Sequence, residues 1–127
     1  MSDIPTDLNY ASSHEWVSVE GDTAIIGISD HAQEELTELV FIELPEIGRE
    51  LTAGDPCAVV ESVKTASDIY APVSGQVIET NDALDTEPGT VNEDPYGEGW
   101  FLKVRLTDSS ELDNLLSPED YADQVNT

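Results

Sequence analysis

Lys64 stands midway in the stretch Glu61-Ser62-Val63-Lys64-Thr65-Ala66-Ser67-Asp68, between the apolar arms Cys57-Ala58-Val59-Val60 and Asp68-Ile69-Tyr70-Ala71. Two such arms joined by polar and small residues predict a β-hairpin with the lysine at its tip. The composition runs against a cation there: four Lys and Arg (Arg49, Lys64, Lys103, Arg105) face 28 Asp and Glu. A lone exposed lysine is ordinarily a solubilising surface residue. A rigid two-strand turn, however, fixes where the side chain leaves the surface, while the flexible stem leaves the amine free. That arrangement suits covalent attachment of a swinging cofactor. By itself the tip lysine leaves the identity of the cofactor open.

Other reactive side chains offer less. The single Cys57 has no intrachain partner and sits in an apolar run, where it reads as a small buried residue. No His and Cys cluster has metal-ligand spacing, so no metal site is expected.

Length and composition frame the rest. A chain of 127 residues with 39% apolar residues fits one domain, residues 1–127, with a real core. A formal net charge of −24, dispersed along the sequence, implies strong self-repulsion relieved by salt, and so a halophilic adaptation. So acidic a surface argues against nucleic acid and anionic membranes as partners, since both are bound through clustered Lys and Arg. The apolar run Ala24–Ile28 is too short to cross a bilayer, and the start Met1-Ser2-Asp3 is neither a signal nor a transit peptide. A cytoplasmic location is expected.

The elements that must position Lys64 are mostly strands. Glu15–Glu20 alternates, Gly21-Asp22 turns, and Thr23–Ile28 continues as a second strand of a hairpin. Ser29 and Asp30 offer N-caps to a short helix near 30–38, with Ala32, Leu36 and Leu39 at helical spacing. Val40–Leu44 is a strand stopped by Pro45. After the lysine hairpin, Pro72–Gly75 turns into the strand Gln76–Thr80. Asp82–Gly99, rich in Gly, Pro, Asn, Asp and Glu, reads as a long loop of the kind that carries function. Trp100–Leu106 alternates, with Trp100, Leu102, Val104 and Leu106 on one face. Two short C-terminal helices follow, one capped by Ser109 or Ser110, the other begun by Ser117-Pro118. The sum is a mostly β fold with small helices, closed into a sandwich or flattened barrel.

Glu61-Ser62-Val63-Lys64, Ser67-Asp68 and Ala71-Pro72-Val73-Ser74-Gly75 resemble the lipoyl-attachment signature of the glycine cleavage system H proteins. Further blocks resemble that family in the same order: Ser13-His14-Glu15-Trp16-Val17, Gly27-Ile28-Ser29, His31-Ala32-Gln33, Val40–Pro45, Asn92 with Asp94-Pro95-Tyr96-Gly97, and Gly99-Trp100. Together they span about residues 8–121. The resemblance implies a lipoyl-type hammerhead, a flattened barrel-sandwich of two small antiparallel sheets, with lipoate amide-linked to Lys64. It implies a non-catalytic carrier and four partners: the pyridoxal-phosphate glycine decarboxylase (P protein), the tetrahydrofolate-dependent aminomethyltransferase (T protein), dihydrolipoamide dehydrogenase (L protein) and a lipoylating enzyme. A monomer is expected.

By the same resemblance, Glu61 and Gly75 are read by the lipoylating enzyme, although Gly75 also has the plain role of φ freedom in a tight turn. Ser13, His14 and Glu15 would line the cleft where the loaded arm parks, with Glu15 and Asp68 as carboxylates for the cargo's amine. His31, near a helix start, reads as structural. The chain departs from the family at Glu35, often a histidine there, and at Thr37, often a glycine. Related carriers fit less well. Val63-Lys64-Thr65 lacks the methionines of biotin carriers and the Asp-Lys-Ala of 2-oxo-acid dehydrogenase lipoyl domains. The remaining alternatives are an H-like lipoyl donor in lipoyl relay and an unmodified interaction domain.

Overall fold

The computed structural model describes residues 4–125; the reading of Met1-Ser2-Asp3 lies outside them. Among the described residues, nine strands make two antiparallel sheets. The larger sheet runs, in spatial order, β1 (Asn9–Tyr10), β2 (Glu15–Glu20), β3 (Thr23–Ile28), β9 (Leu102–Leu106), β8 (Gly75–Thr80) and β5 (Glu50–Leu51). The smaller holds β4 (Leu39–Glu43), β6 (Pro56–Ser62) and β7 (Ala66–Tyr70) in that order. This is the expected two-sheet sandwich.

The hairpins form where turn chemistry set them. Glu20 pairs with Thr23 and Glu15 with Ile28, leaving Gly21-Asp22 as the connection, with Gly21 at φ +66°. Glu61 pairs with Ala66, and Val59 with Asp68, so Lys64 does occupy a hairpin tip. Both sheets feed one core: Val17, Ile26, Val77 and Val104 from the larger, Ile42, Val60 and Ile69 from the smaller. Each such side chain contributes about 1.5–3 kcal/mol by leaving water. A second cluster of Leu8, Tyr10, Trp16 and Tyr121 buries the C-terminal helix against β1 and β2.

Helix α1 (Asp30–Leu36) starts as expected: Ser29 Oγ accepts the Ala32 N–H at 3.2 Å, and Gln33 Nε2 donates to Asp30 Oδ1 at 2.7 Å. It stops earlier than its apolar spacing suggests, because Thr37 takes φ +67°, ψ −153°. Leu39 therefore opens β4, and is buried there.

The segment 82–99 corrects the loop reading. It folds into two one-turn helices, α2 (Ala83–Thr86) and α3 (Thr90–Glu93), which bury Leu84 and Val91. Its polar composition hid two apolar anchors, and Pro88-Gly89 between them breaks the segment into two separate turns. The segment holds α1 at both ends. Tyr96 Oη accepts the Asp30 N–H at 2.9 Å, while Asn92 donates to Thr37 O (2.8 Å) and Gln33 Oε1 (2.9 Å) and accepts the Leu39 N–H (2.9 Å).

Two further expectations are corrected. The alternation assigned to Trp100–Leu106 holds only from Leu102, where pairing begins; Phe101 and Leu102 are both fully buried in the main core, and Trp100 joins the second cluster. The first C-terminal helix is a 3₁₀ helix (Ser109–Asn114) capped by Asp108, whose carboxylate accepts the Ser110 N–H. The second, α4 (Pro118–Val125), does start at Ser117, whose Oγ accepts the Asp120 N–H at 3.2 Å. No described helix is long and apolar enough to cross a membrane.

Candidate functional site: a lysine tip beside a cleft

Ser62 organises the turn that presents Lys64. Its N–H donates to Thr65 O at 2.7 Å, and its Oγ accepts the N–H groups of Lys64 (3.1 Å) and Thr65 (3.0 Å). This is the local side-chain to backbone bonding that serine favours in turns. The Val63 N–H donates to Glu38 O at 3.0 Å, which ties the tip to the chain just past α1. Lys64 is exposed, and its Nζ lies 3.5 Å from the Glu35 carbonyl oxygen.

Glu35 also lines a cleft of about 420 Å³. Ser13 and His14 contribute to one wall, His31, Glu35 and Leu36 of α1 to another, and Asp68 of β7 to a third, with Ile28 and Ile69 as apolar lining. Of the residues expected at an arm cleft, Ser13, His14 and Asp68 line this one. Cys57 is not part of it; burial pushes its thiol up to about 12, which leaves it inert.

Glu15 departs from expectation. It is 1% exposed and is not among the cleft-lining residues. Its carboxylate accepts the hydroxyl of Ser13 and, at 3.1 Å, the backbone N–H of Tyr70. Burial raises its pKa, and these two donors oppose the rise. The carboxylate thus stands behind the wall, holding Ser13, which does face the cleft.

His14 sits at φ +81°, a conformation uncommon for a side chain with a Cβ. Its N–H donates to Ala11 O and its carbonyl accepts the Ser29 N–H, both at 2.9 Å. Its Nδ1 meets Tyr121 Oη at 2.8 Å, and Tyr121 Oη meets Ser29 Oγ at 2.6 Å. Burial, and then the neighbouring His31 at 5.0 Å between ring centroids, lower the His14 pKa.

Glu61 is exposed on β6, beside the tip and opposite Phe41 of β4. Gly75 corrects its plain reading. It opens β8, and its φ is not positive. A Cβ there would overlap the Arg105 carbonyl oxygen and come within 3.3 Å of Val104 Cβ on β9. Close strand approach, not φ freedom, demands the glycine.

The family model of glycine cleavage H-proteins matches residues 8–127. The chain belongs to this family. It is 60% identical over 122 residues to the glycine cleavage system H protein of Shewanella loihica, covering 95% of each chain. It is 58% identical over 123 residues to a probable glycine cleavage system H protein of Haloarcula marismortui, covering 97% of each. The crystal structure of a glycine cleavage system H protein from Mycobacterium marinum superposes with a TM-score of 0.89 at 42% identity, covering 98% of this chain and 100% of that one. As an H protein, the chain is a non-catalytic carrier component of the glycine cleavage system.

The H-protein pattern makes sense of Thr37. The position where the family resemblance implies glycine lies at positive φ here, and Asn92 secures the backbone just after it, donating to Thr37 O and accepting the Leu39 N–H. Sequence reasoning read His31 as structural, yet it lines the cleft and approaches Glu35 (Nε2 to Oε1, 3.6 Å), and it did not single out Tyr121, which reaches His14 from 107 residues away. For His31 the signal was present: it and Glu35 are four apart on a helix and share a face. For Tyr121 no local signal existed.

Proposed function

We propose that this chain carries lipoate, amide-linked to Lys64, and shuttles the aminomethyl unit of glycine from the P protein to the T protein, with the L protein reoxidising the dithiol. What supports this reading most directly is that Lys64 Nζ lies 3.5 Å from the carbonyl of Glu35, a residue that also lines the 420 Å³ cleft. A hairpin tip fixed by Ser62 gives the attached group a defined origin beside that cleft. Lipoate supplies a reversible dithiol and disulfide, so no protein cysteine is needed.

The residues around the cleft act on the cargo rather than on any bond. Asp68 and Glu35 are carboxylates suited to a cationic amine, and Ile28 and Ile69 exclude water beside them. Ser13, held by Glu15, offers a hydroxyl at the same wall. Glu61, exposed beside the tip, is the side chain the lipoylating enzyme reads, together with the compact β8 start at Gly75. Tethering keeps the cargo at millimolar-scale effective concentration near each docked partner. The chain works as a cytoplasmic monomer that docks transiently.

Enzymatically lipoylated protein, mixed with P protein, is expected to support exchange of the glycine carboxyl with CO2, and Lys64→Arg to support none. Lipoylated protein without exchange activity would overturn the reading; transfer of lipoate from Lys64 to an acceptor domain would instead establish lipoyl relay.

A further inference from the structure

We propose that Tyr121 is a positioning residue that holds His14 as the Nε2–H tautomer and so keeps a basic ring nitrogen of His14 out of the cleft. The inference rests on the reading of the cleft as the parking place of the cargo.

Ser29 is fully buried, and its Oγ has two neighbours: it accepts the Ala32 N–H at 3.2 Å and lies 2.6 Å from Tyr121 Oη. Tyr121 Oη lies 2.8 Å from His14 Nδ1. Two hydroxyl protons must be placed along this line. If Ser29 donates to Tyr121 and Tyr121 donates to His14 Nδ1, both are used. In the opposite sense His14 would donate to Tyr121 and Tyr121 to Ser29, leaving the buried Ser29 hydroxyl proton without an acceptor, which folded proteins avoid. The first sense therefore holds. Nδ1 accepts, Nε2 carries the proton, and the ring nitrogen left for the cleft is a donor. Burial and His31 disfavour the imidazolium, which keeps His14 in this neutral form near pH 7.

The assembly is stiff. Tyr121 stacks on Tyr10 at 4.5 Å between centroids and 4° between planes, and Tyr10 exchanges two backbone hydrogen bonds with Leu116. Ser29 grips His14 twice, by its backbone N–H and through the Tyr121 hydroxyl.

The consequence concerns an ammonium next to sulfur. An S-bound aminomethyl group is lost as R–S–CH2–NH3⁺ + H2O → R–SH + CH2O + NH4⁺, with no change of oxidation state. The ammonium first gives up a proton, the freed nitrogen pair then forms C=N as the C–S bond breaks to thiolate, and water adds to the iminium carbon. Asp68 and Glu35 favour the protonated amine; an accepting nitrogen on His14, added to His31, whose Nε2 lies 3.6 Å from Glu35 Oε1, would place a further base beside its proton. From β7, Asp68 faces this region, and from α1, His31 and Glu35; Tyr121 of α4 occupies the only His14 nitrogen that accepts.

Tyr121→Phe keeps the stacked ring and deletes the hydroxyl. On the full lipoylated chain, ¹⁵N shifts of the His14 ring are expected to report Nε2–H in the parent and a tautomer mixture in Tyr121→Phe. Loss of the loaded aminomethyl group, read as formaldehyde release, is expected to quicken several-fold in the variant and to return to the parent rate in Tyr121→Phe with His14→Asn, which tolerates positive φ and carries no base. A parent His14 protonated on Nδ1 would overturn the inference without any variant. So would an unchanged loss rate in a folded Tyr121→Phe chain whose parent protects its cargo. A parent cargo lost as fast as from free aminomethyl-dihydrolipoamide would overturn the parking reading itself, and the protective role of Tyr121 with it.

Discussion

Glu15 accepts the backbone N–H of Tyr70 at 3.1 Å, so that one buried carboxylate joins the first residue of β2 to the last of β7 and bridges the two sheets. Its pKa is raised, chiefly by desolvation. A carboxylate whose folded pKa exceeds its ordinary value binds more protons folded than unfolded, so its contribution is fully present below about 4.5 and is lost as pH rises through the folded value. Glu15→Gln, which keeps the shape and an acceptor for Tyr70, is expected to flatten that part of the stability profile. Glu15→Ala orphans the Tyr70 N–H and is expected to cost about 1–3 kcal/mol. Urea unfolding at constant high salt across the acid range measures both; an unaltered slope in Glu15→Gln would remove the carboxylate from the account.

Thr37 stores strain. At φ +67°, ψ −153° it occupies backbone space that only glycine enters freely, a cost of about 1–3 kcal/mol for other residues. Thr37→Gly relieves this but loosens the unfolded chain by about 0.5–1 kcal/mol. A net gain of roughly 1 kcal/mol is expected in the same unfolding assay, with α1 and the cleft unchanged in amide shifts. A loss of stability would mean that Asn92 has already absorbed the strain.

Gly75→Ala forces a methyl against the Arg105 carbonyl across the β8–β9 pair. Overpacking of this kind costs about 1–3 kcal/mol, and the unlipoylated chain is expected to show it in full. Parent-like stability together with poor lipoylation would move the weight from packing to recognition by the lipoylating enzyme. Glu61→Gln, at an exposed site, is expected to slow lipoylation while leaving the unfolding curve in place.

Salt should govern stability as a whole. The formal net charge is −24, and among the described residues Lys103–Glu79 is the one Lys or Arg ion pair, at 3.6 Å. Screening at molar salt shortens the Debye length to about 3 Å and removes most of the repulsion. The melting temperature is expected to climb steeply from low to molar NaCl, whereas a flat response would reject a halophilic adaptation.

Whatever a few neighbouring residues encode was legible along the chain. Ser62 to Ser67 carries its own turn, so the hairpin and the exposure of Lys64 followed from local composition. Ser29 and Ser117 capped their helices because a cap bonds only two or three residues ahead. The ordered blocks on either side of Lys64 likewise carried the family. The tertiary structure decided everything that depends on which distant residues meet. Burial of Glu15 required Tyr70, 55 residues on, to close over it. The need for Gly75 came from the Arg105 carbonyl on a neighbouring strand. The state of His14 was set by a hydroxyl on α4, 107 residues away, because tautomers and desolvation answer to the three-dimensional neighbourhood and leave no periodic trace along the chain.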